Sequence, residues 1–184
     1  MKKITLIALL FALNWQANAQ NSDISLLKRN ELKLDVAYLI GGALKVEYEY
    51  LLTDYSSLGI STLYNFDTRK NEWEHRVFKA QILGTYRLYF GKEPVAGFFL
   101  EGNMGLIHGE YRSYHRPSPS DPRSLENYAA FGIGIALGWK LHIPKSGIVL
   151  DIFGGVGRKF GAKESDEQDG WGYPRVGICV GKRF

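Results

Sequence analysis

From residue 31 to the end of the chain, apolar residues recur at every second position, the spacing of a strand whose two faces meet different surroundings. The last twelve residues, Y-P-R-V-G-I-C-V-G-K-R-F, set the pattern. Val176, Ile178, Val180, Lys182 and Phe184 lie on one face, and Arg175, Gly177, Cys179, Gly181 and Arg183 on the other. Seven earlier segments repeat it. Leu32, Leu34, Val36 and Tyr38 oppose Glu31, Lys33 and Asp35; Leu44, Val46, Tyr48 and Tyr50 oppose Lys45, Glu47 and Glu49. Leu58, Ile60, Thr62 and Tyr64 make a third, and Phe78, Ala80, Ile82, Tyr86, Leu88 and Phe90 oppose Lys79, Gln81, Thr85 and Arg87 in a fourth. Ala96, Phe98, Leu100, Met104 and Leu106 stand against Glu101 and Asn103. Phe131, Ile133, Ile135, Leu137 and Trp139 face away from Gly132, Gly134, Ala136, Gly138 and Lys140. Ile148, Leu150, Ile152 and Val156 face away from Asp151, Gly155 and Gly157. No segment sustains a helical apolar stripe without a charge interrupting it, so helices are excluded as the main element. Eight segments of about ten residues predict an all-β fold, an eight-stranded antiparallel up-and-down transmembrane β-barrel.

The connections orient it. Thr53-Asp54-Tyr55 and residues 91–94 and 142–147 are short, whereas 65–76, 108–127 and 158–172 are long. Short turns at one end and long loops at the other predict periplasmic termini and outward-facing loops, with Gly41-Gly42 as an unusually tight outer turn. Tyr38, Tyr50, Tyr64, Tyr86, Phe90, Trp139 and Phe184 fall where interfacial aromatic girdles would lie. The competing fold is a soluble barrel of lipocalin type, with the apolar face inward. Periodicity alone does not say which face points in.

Ahead of the barrel, Met1-Lys2-Lys3, an apolar run at 4–13 and Ala17-Asn18-Ala19 make a Sec-type signal peptide over residues 1–19. Residues 20–30 are expected as a periplasmic amino-terminal segment and 31–184 as the barrel. Loss of Lys2 and Lys3 leaves 21 basic against 19 acidic residues, net +2, too little for a nucleic-acid binder. Cys179, the single cysteine, excludes an internal disulfide.

On the polar face seven cations (Lys33, Lys45, Lys79, Arg87, Lys140, Arg175, Arg183) meet six anions (Glu31, Asp35, Glu47, Glu49, Glu101, Asp151). An eight-stranded barrel is only wide enough for its own side chains, so these charges are expected to pair and plug it. The alternative is a narrow channel or a site for a small polar ligand, although a selective pore would favour a ring of one sign. Four histidines, His75, His108, His115 and His142, raise a metal site, best placed at His108, Glu110 and His115. Glu164, Asp166, Glu167 and Asp169 make the last outer loop acidic without regular ligand spacing. Ser113, His115 and Glu110 raise a lipid-modifying enzyme, but they fall among Pro117, Pro119 and Pro122 instead of on a rigid strand. Solvated loop residues are the expectation in each case, with no catalytic, cofactor-binding or metal-binding residue assigned. Gly132, Gly134 and Gly138 lack the spacing of a dinucleotide loop and are expected to be small lumen residues.

Four stretches carry a resemblance: residues 30–50 (N-E-L-K-L-D-V-A-Y-L-I-G-G-A-L-K-V-E-Y-E-Y), 86–103 (Y-R-L-Y-F-G-K-E-P-V-A-G-F-F-L-E-G-N), 145–158 (K-S-G-I-V-L-D-I-F-G-G-V-G-R) and the closing P-R-V-G-I-C-V-G-K-R-F. Together they resemble the small outer-membrane β-barrel proteins of Gram-negative bacteria whose function is unknown, and more distantly the architecture of OmpA and OmpX. Phe184 resembles the carboxy-terminal signature read by the barrel-assembly machinery. The resemblance implies a non-enzymatic outer-membrane protein with a structural, envelope or surface-contact role and no cofactor. Its expected partners are outer-membrane lipid and lipopolysaccharide, with an external partner at the three long loops, where Trp73, Tyr111, Tyr114 and Trp171 suit contact. A monomer is expected.

Overall fold

The computed structural model describes residues 28–66, 76–112, 125–161 and 172–184. Eight strands form one closed antiparallel barrel in chain order: β1 Asn30–Asp35, β2 Ala43–Thr53, β3 Ser56–Asn65, β4 Arg76–Tyr89, β5 Gly97–Arg112, β6 Leu125–Ile143, β7 Ile148–Phe160 and β8 Gly172–Arg183. The ring closes by pairing β1 with β8, from Glu31 opposite Arg183 to Asp35 opposite Cys179. Closure removes the edges that an open sheet would expose.

Register fixes the shape. Paired positions run from Leu32 through Tyr48, Ile60, Gly84, Met104, Ile133 and Arg158 to Gly172. Leu32 itself pairs with Lys182, so one circuit slips by ten residues along β8, which is the shear of the barrel. Eight strands with that shear tilt by roughly 40° and enclose a backbone cylinder of about 8 Å radius. Such a lumen holds side chains and little else.

The faces sort as the alternation requires, and the structure decides which one points in. Every inward acid and base named above except Lys79 is buried. Leu58, Ile60, Ile82, Met104, Leu106, Ile133, Ile135, Leu137, Ile152 and Val156 are exposed on the outside. This is the inverse of a lipocalin-type barrel, and it gives the exterior the surface that hydrocarbon would cover. Tyr50, Phe90, Phe98, Trp139 and Phe184 are exposed toward the end that carries the termini, and Tyr64, Phe131 and Phe160 toward the other.

Five expectations need correction. The first segment does not continue through Val36 and Tyr38: β1 stops at Asp35, and Val36–Ile40 form a short helix, α1. Asp35 causes this, since its Oδ1 accepts from the amides of Ala37 (3.1 Å) and Tyr38 (3.3 Å) and caps the helix. The first outer connection is therefore α1 plus Gly41-Gly42, with Gly42 at φ 86°, and not a bare tight turn. Tyr38 leaves the girdle for the lumen mouth, where the Lys45 Nζ sits 4.7 Å from its ring centroid. The long connections are also shorter than expected. His108–Arg112 and residues 125–127 extend the β5–β6 ladder, and residues 158–160 belong to β7. The ladder begins at Asn30, one residue early, and the Arg29 carbonyl already accepts from Leu51 N (2.8 Å). The signal-peptide residues and the rest of 20–27 lie outside the described residues.

Candidate functional site

Six cations and six anions meet in the lumen: Lys33, Lys45, Arg87, Lys140, Arg175 and Arg183 against Glu31, Asp35, Glu47, Glu49, Glu101 and Asp151, all buried. Lys79, counted inward from sequence, is only half-buried; a register shift between Phe78 and Ala80 displaces it. Within this ion-pair network the described charges balance six to six, and a seventh buried cation, Lys159, lies apart from it toward the loop end, over the Tyr128 ring.

Arg87 is the hub. Its Nε donates to Glu101 Oε2 (2.8 Å), its Nη1 to Asp151 Oδ2 (2.7 Å) and Glu49 Oε2 (3.0 Å), and its Nη2 to Glu47 Oε2 (3.1 Å). Arg175 repeats the fork one layer further out, on Glu101 Oε1 (2.7 Å) and Glu47 Oε1 (2.9 Å). Lys33 joins Glu49 to Asp151 Oδ2 (2.6 Å), and Lys140 joins Glu31 (2.7 Å) to Glu49 (2.9 Å). Arg183 anchors the terminal end on Glu31 Oε1 (2.8 Å) and the Val95 carbonyl (3.0 Å). Tyr89 Oη and Ser57 Oγ complete Glu49. Planar arginine forks suit this work, since one guanidinium satisfies several carboxylates in fixed directions.

Aromatic rings fill the spaces between the charges. Arg87 Cζ lies 4.5 Å from the Phe99 centroid, and Arg175 Cζ lies 4.6 Å from that of Phe153. Phe99, Phe153, Tyr89, Leu83, Ile107 and Tyr173 are inward residues that a charge inventory of the sequence passed over; their parity with Arg87, Glu101, Asp151 and Arg175 was the available signal. Toward the loop end Leu83, Ile107 and Tyr173 pack together, and Lys159 is buried over the Tyr128 ring. Gly132, Gly134 and Gly157 make room for the Tyr173 ring, because a Cβ on any of them would lie within 2.9 Å of it. The Tyr173 hydroxyl donates to Asn103 Oδ1 (2.6 Å). Tyr173→Phe is expected to cost about 1–2 kcal/mol, since it leaves the buried Asn103 oxygen short of a donor. Urea unfolding of refolded wild type and variant measures this.

The network compensates its charges. Asp151 Oδ1 has no hydrogen-bond partner among the described residues, but the same carboxylate is neutralised through Oδ2. Among the described residues no ring of one sign lines the lumen; each carboxylate faces at least one cation. Among the described residues no group of three or more His, Cys, Asp or Glu is placed to hold a metal. Cys179 is buried beside Asp35 Oδ2 (3.6 Å) and fills space under it.

The loop candidates separate. His108 lies on β5 and points outward, away from the lumen. Glu110 and Tyr111 are in the β5 ladder, opposite Asn127 and Glu126. His75, Ser113, His115, Trp73, Tyr114, Trp171 and the acidic positions 164, 166, 167 and 169 lie outside the described residues. His142 is buried at the terminal end, its Nδ1 3.5 Å from Arg183 Nη1. There the turn after β4 folds inward: Val95 is buried at φ 48° and its amide donates to Asp54 O (2.8 Å). A cavity of about 190 Å³ lies beside it, with Arg29, Asp54, Glu93 and Arg183 in its wall. Both signs of charge line it.

No protein-family model matches the chain. No curated protein matches it either. Two solved structures are similar to it. The N-terminal β-barrel domain of Pseudomonas aeruginosa OprF is 17% identical, with a TM-score of 0.44 over 85% of this chain and 98% of that one. The Yersinia pestis outer membrane protein Ail, in a phospholipid bilayer nanodisc, is 12% identical, with a TM-score of 0.46 over 85% of this chain and 99% of that one. The fold of this chain rests on its own strand pairing: a closed, eight-stranded, antiparallel up-and-down barrel.

Proposed function

We propose that this chain is an integral outer-membrane barrel without enzymatic activity, a structural or surface-contact protein of the envelope with a side-chain-plugged lumen. One observation carries the reading: ion pairs are buried inside while large apolar side chains are exposed outside. Water would penalise that exterior, and hydrocarbon would not. The long connections share one end with α1, and the termini share the other with the short turns. On this reading the loops face outward, where they meet lipopolysaccharide and an external partner, and the termini are periplasmic. The protein works as a monomer.

The test is localisation with its signal peptide in place. Carbonate-stripped outer membranes should retain the protein, and its mobility on a denaturing gel should change on boiling. Release into the soluble periplasm would overturn the proposal. Because side chains fill the lumen and its carboxylates are all ion-paired, planar bilayers containing the purified protein should show no discrete conductance steps. Regular steps, lost when Arg87 is altered, would instead establish a channel.

A further inference from the structure

The cavity at the terminal end differs from the ion-pair network behind it in how its charges are met. Its floor is buried: Leu51, Val95, His142 and Arg183 are between 2% and 9% exposed. Its rim is polar and largely exposed, with Lys28 and Arg29 on the chain entering β1, Asp54 on the β2–β3 turn and Glu93 on the turn after β4. Each carboxylate of the network is ion-paired, yet among the described residues no ion pair joins either rim base to either rim acid. The side chains of Lys28, Asp54 and Glu93 have no hydrogen bond among the described residues, and Arg29 has one long contact, from its Nη1 to the Leu52 carbonyl (3.4 Å). Charges of both signs line one cleft without neutralising each other.

Arg183 joins the cavity floor to the network. A guanidinium carries several N–H donors in a fixed fork. Its Nε donates to Glu31 Oε1 (2.8 Å), and its Nη2 donates to the Val95 carbonyl (3.0 Å) while lying 2.7 Å from the same Glu31 oxygen. Nη1 meets only His142 Nδ1, at 3.5 Å, the far limit of a hydrogen bond. That end of a buried guanidinium is under-used, and an oxyanion would complete it. The adjoining wall is held in place against its own preference. Val95 is β-branched yet sits at φ 48°, fixed by its amide on Asp54 O (2.8 Å) and its carbonyl on Arg183. Strain of this kind persists where the surroundings over-determine it, and it gathers at ligand sites. Leu51, Pro94, Val95 and Pro144 add apolar wall. The volume of about 190 Å³ has room for roughly six waters, and so for a solute of amino-acid size.

We propose that this cleft binds a small zwitterion of amino-acid size, its carboxylate on Arg183 Nη1 and Arg29 and its ammonium on Asp54 and Glu93. A ligand of one charge would leave the opposite rim groups unanswered. Leu51, His142 and Arg183 all point into the lumen, so entry is from the water at the terminal end and not from lipid around the wall. Val95 and the Arg183–Glu31 pair close the floor, which makes the cleft a dead end and not a pore. The inference goes beyond the envelope role proposed above and holds whichever medium surrounds the barrel.

The experiment uses the full mature chain with isotope-labelled histidine, refolded in micelles of octyl glucoside, whose uncharged headgroup does not compete. The His142 imidazole signals, assigned by their loss in His142→Gln, report on the cavity, and those of His108, outward on β5, are the control. L-valine should shift the His142 signals and not those of His108. It should bind about tenfold more tightly than isovalerate or isobutylamine, which keep its branched chain with one charge each. The double substitution D54N/E93Q should bring valine down to the affinity of isovalerate and leave isovalerate no weaker. Arg29→Gln should weaken valine and isovalerate and spare isobutylamine. These three positions are exposed, so the variants should fold, as heat-modifiable mobility checks. Equal affinity for valine and isovalerate would reduce the cleft to an anion site and overturn the zwitterion. Unmoved His142 signals with all three probes, or equal movement at His108, would overturn the site itself. Failure of the membrane reading would show in carbonate extraction and leave these shifts unchanged.

Discussion

Arg87→Met should destabilise the barrel by about 3–5 kcal/mol, because removing one partner of a buried ion network leaves uncompensated charge. Arg87 touches four of the six lumen carboxylates, on Glu47, Glu49, Glu101 and Asp151. Lys33, Lys45, Lys140 and Arg175 remain for those four, but Lys45 also serves Asp35, Lys140 also serves Glu31, and Arg175 already divides itself between Glu47 and Glu101. The deletion leaves that network with one negative charge in excess. Arg87→Lys should lose less, since the charge stays and only the fork is lost. Arg87→Met with Glu101→Gln should lose less than the sum of its parts, since it restores neutrality. Urea titration of the refolded proteins, read by gel mobility without boiling, orders the series. An Arg87→Met protein as stable as wild type would mean that the lumen is wet enough to screen its charges, and the plug reading would fall with it.

The faces of this barrel were legible because the pleat leaves no freedom: once Glu31, Lys33 and Asp35 share a side, Leu32 and Leu34 must take the other. The inside–outside choice was not legible from periodicity, and the exposed belt supplies it. Local chemistry explains the helix that alternation hid. Val36 and Tyr38 continue the apolar pattern of β1, but Asp35 ahead and Gly41 behind are a cap and a stop around five residues. The partners in the lumen were beyond reach for a different reason. Arg87 meets Asp151 across 64 positions and Lys140 meets Glu31 across 109, so their pairing depends on the ten-residue shear and not on any local spacing. Lys159 shows the same limit: the sequence reading placed it in a loop, yet it is a buried inward residue of β7 over the Tyr128 ring.

Ile135→Arg should cost about 2–4 kcal/mol in a bilayer, the penalty for an arginine on the lipid face near the midplane. Ile135 is 62% exposed and lies on β6 midway between Phe131 and Trp139, aromatics that point outward toward opposite ends of the belt. An arginine there cannot reach either interface without bending its full length along the wall. Its inward neighbours Gly134 and Ala136 show that the strand has no room to turn it into the lumen, where Gly134 already lies against Asn103 and Tyr173. In a soluble barrel the same change would add a charge to a water-facing position and fall within about 0.5 kcal/mol of wild type. Folding free energies in phosphatidylcholine vesicles measure the difference directly. A parallel substitution at Leu52, exposed near the terminal end of β2, provides the depth control and should cost no more than about 1 kcal/mol. Equal, small losses at both positions would mean that water and not hydrocarbon covers this surface, and the outer-membrane assignment would have to be abandoned.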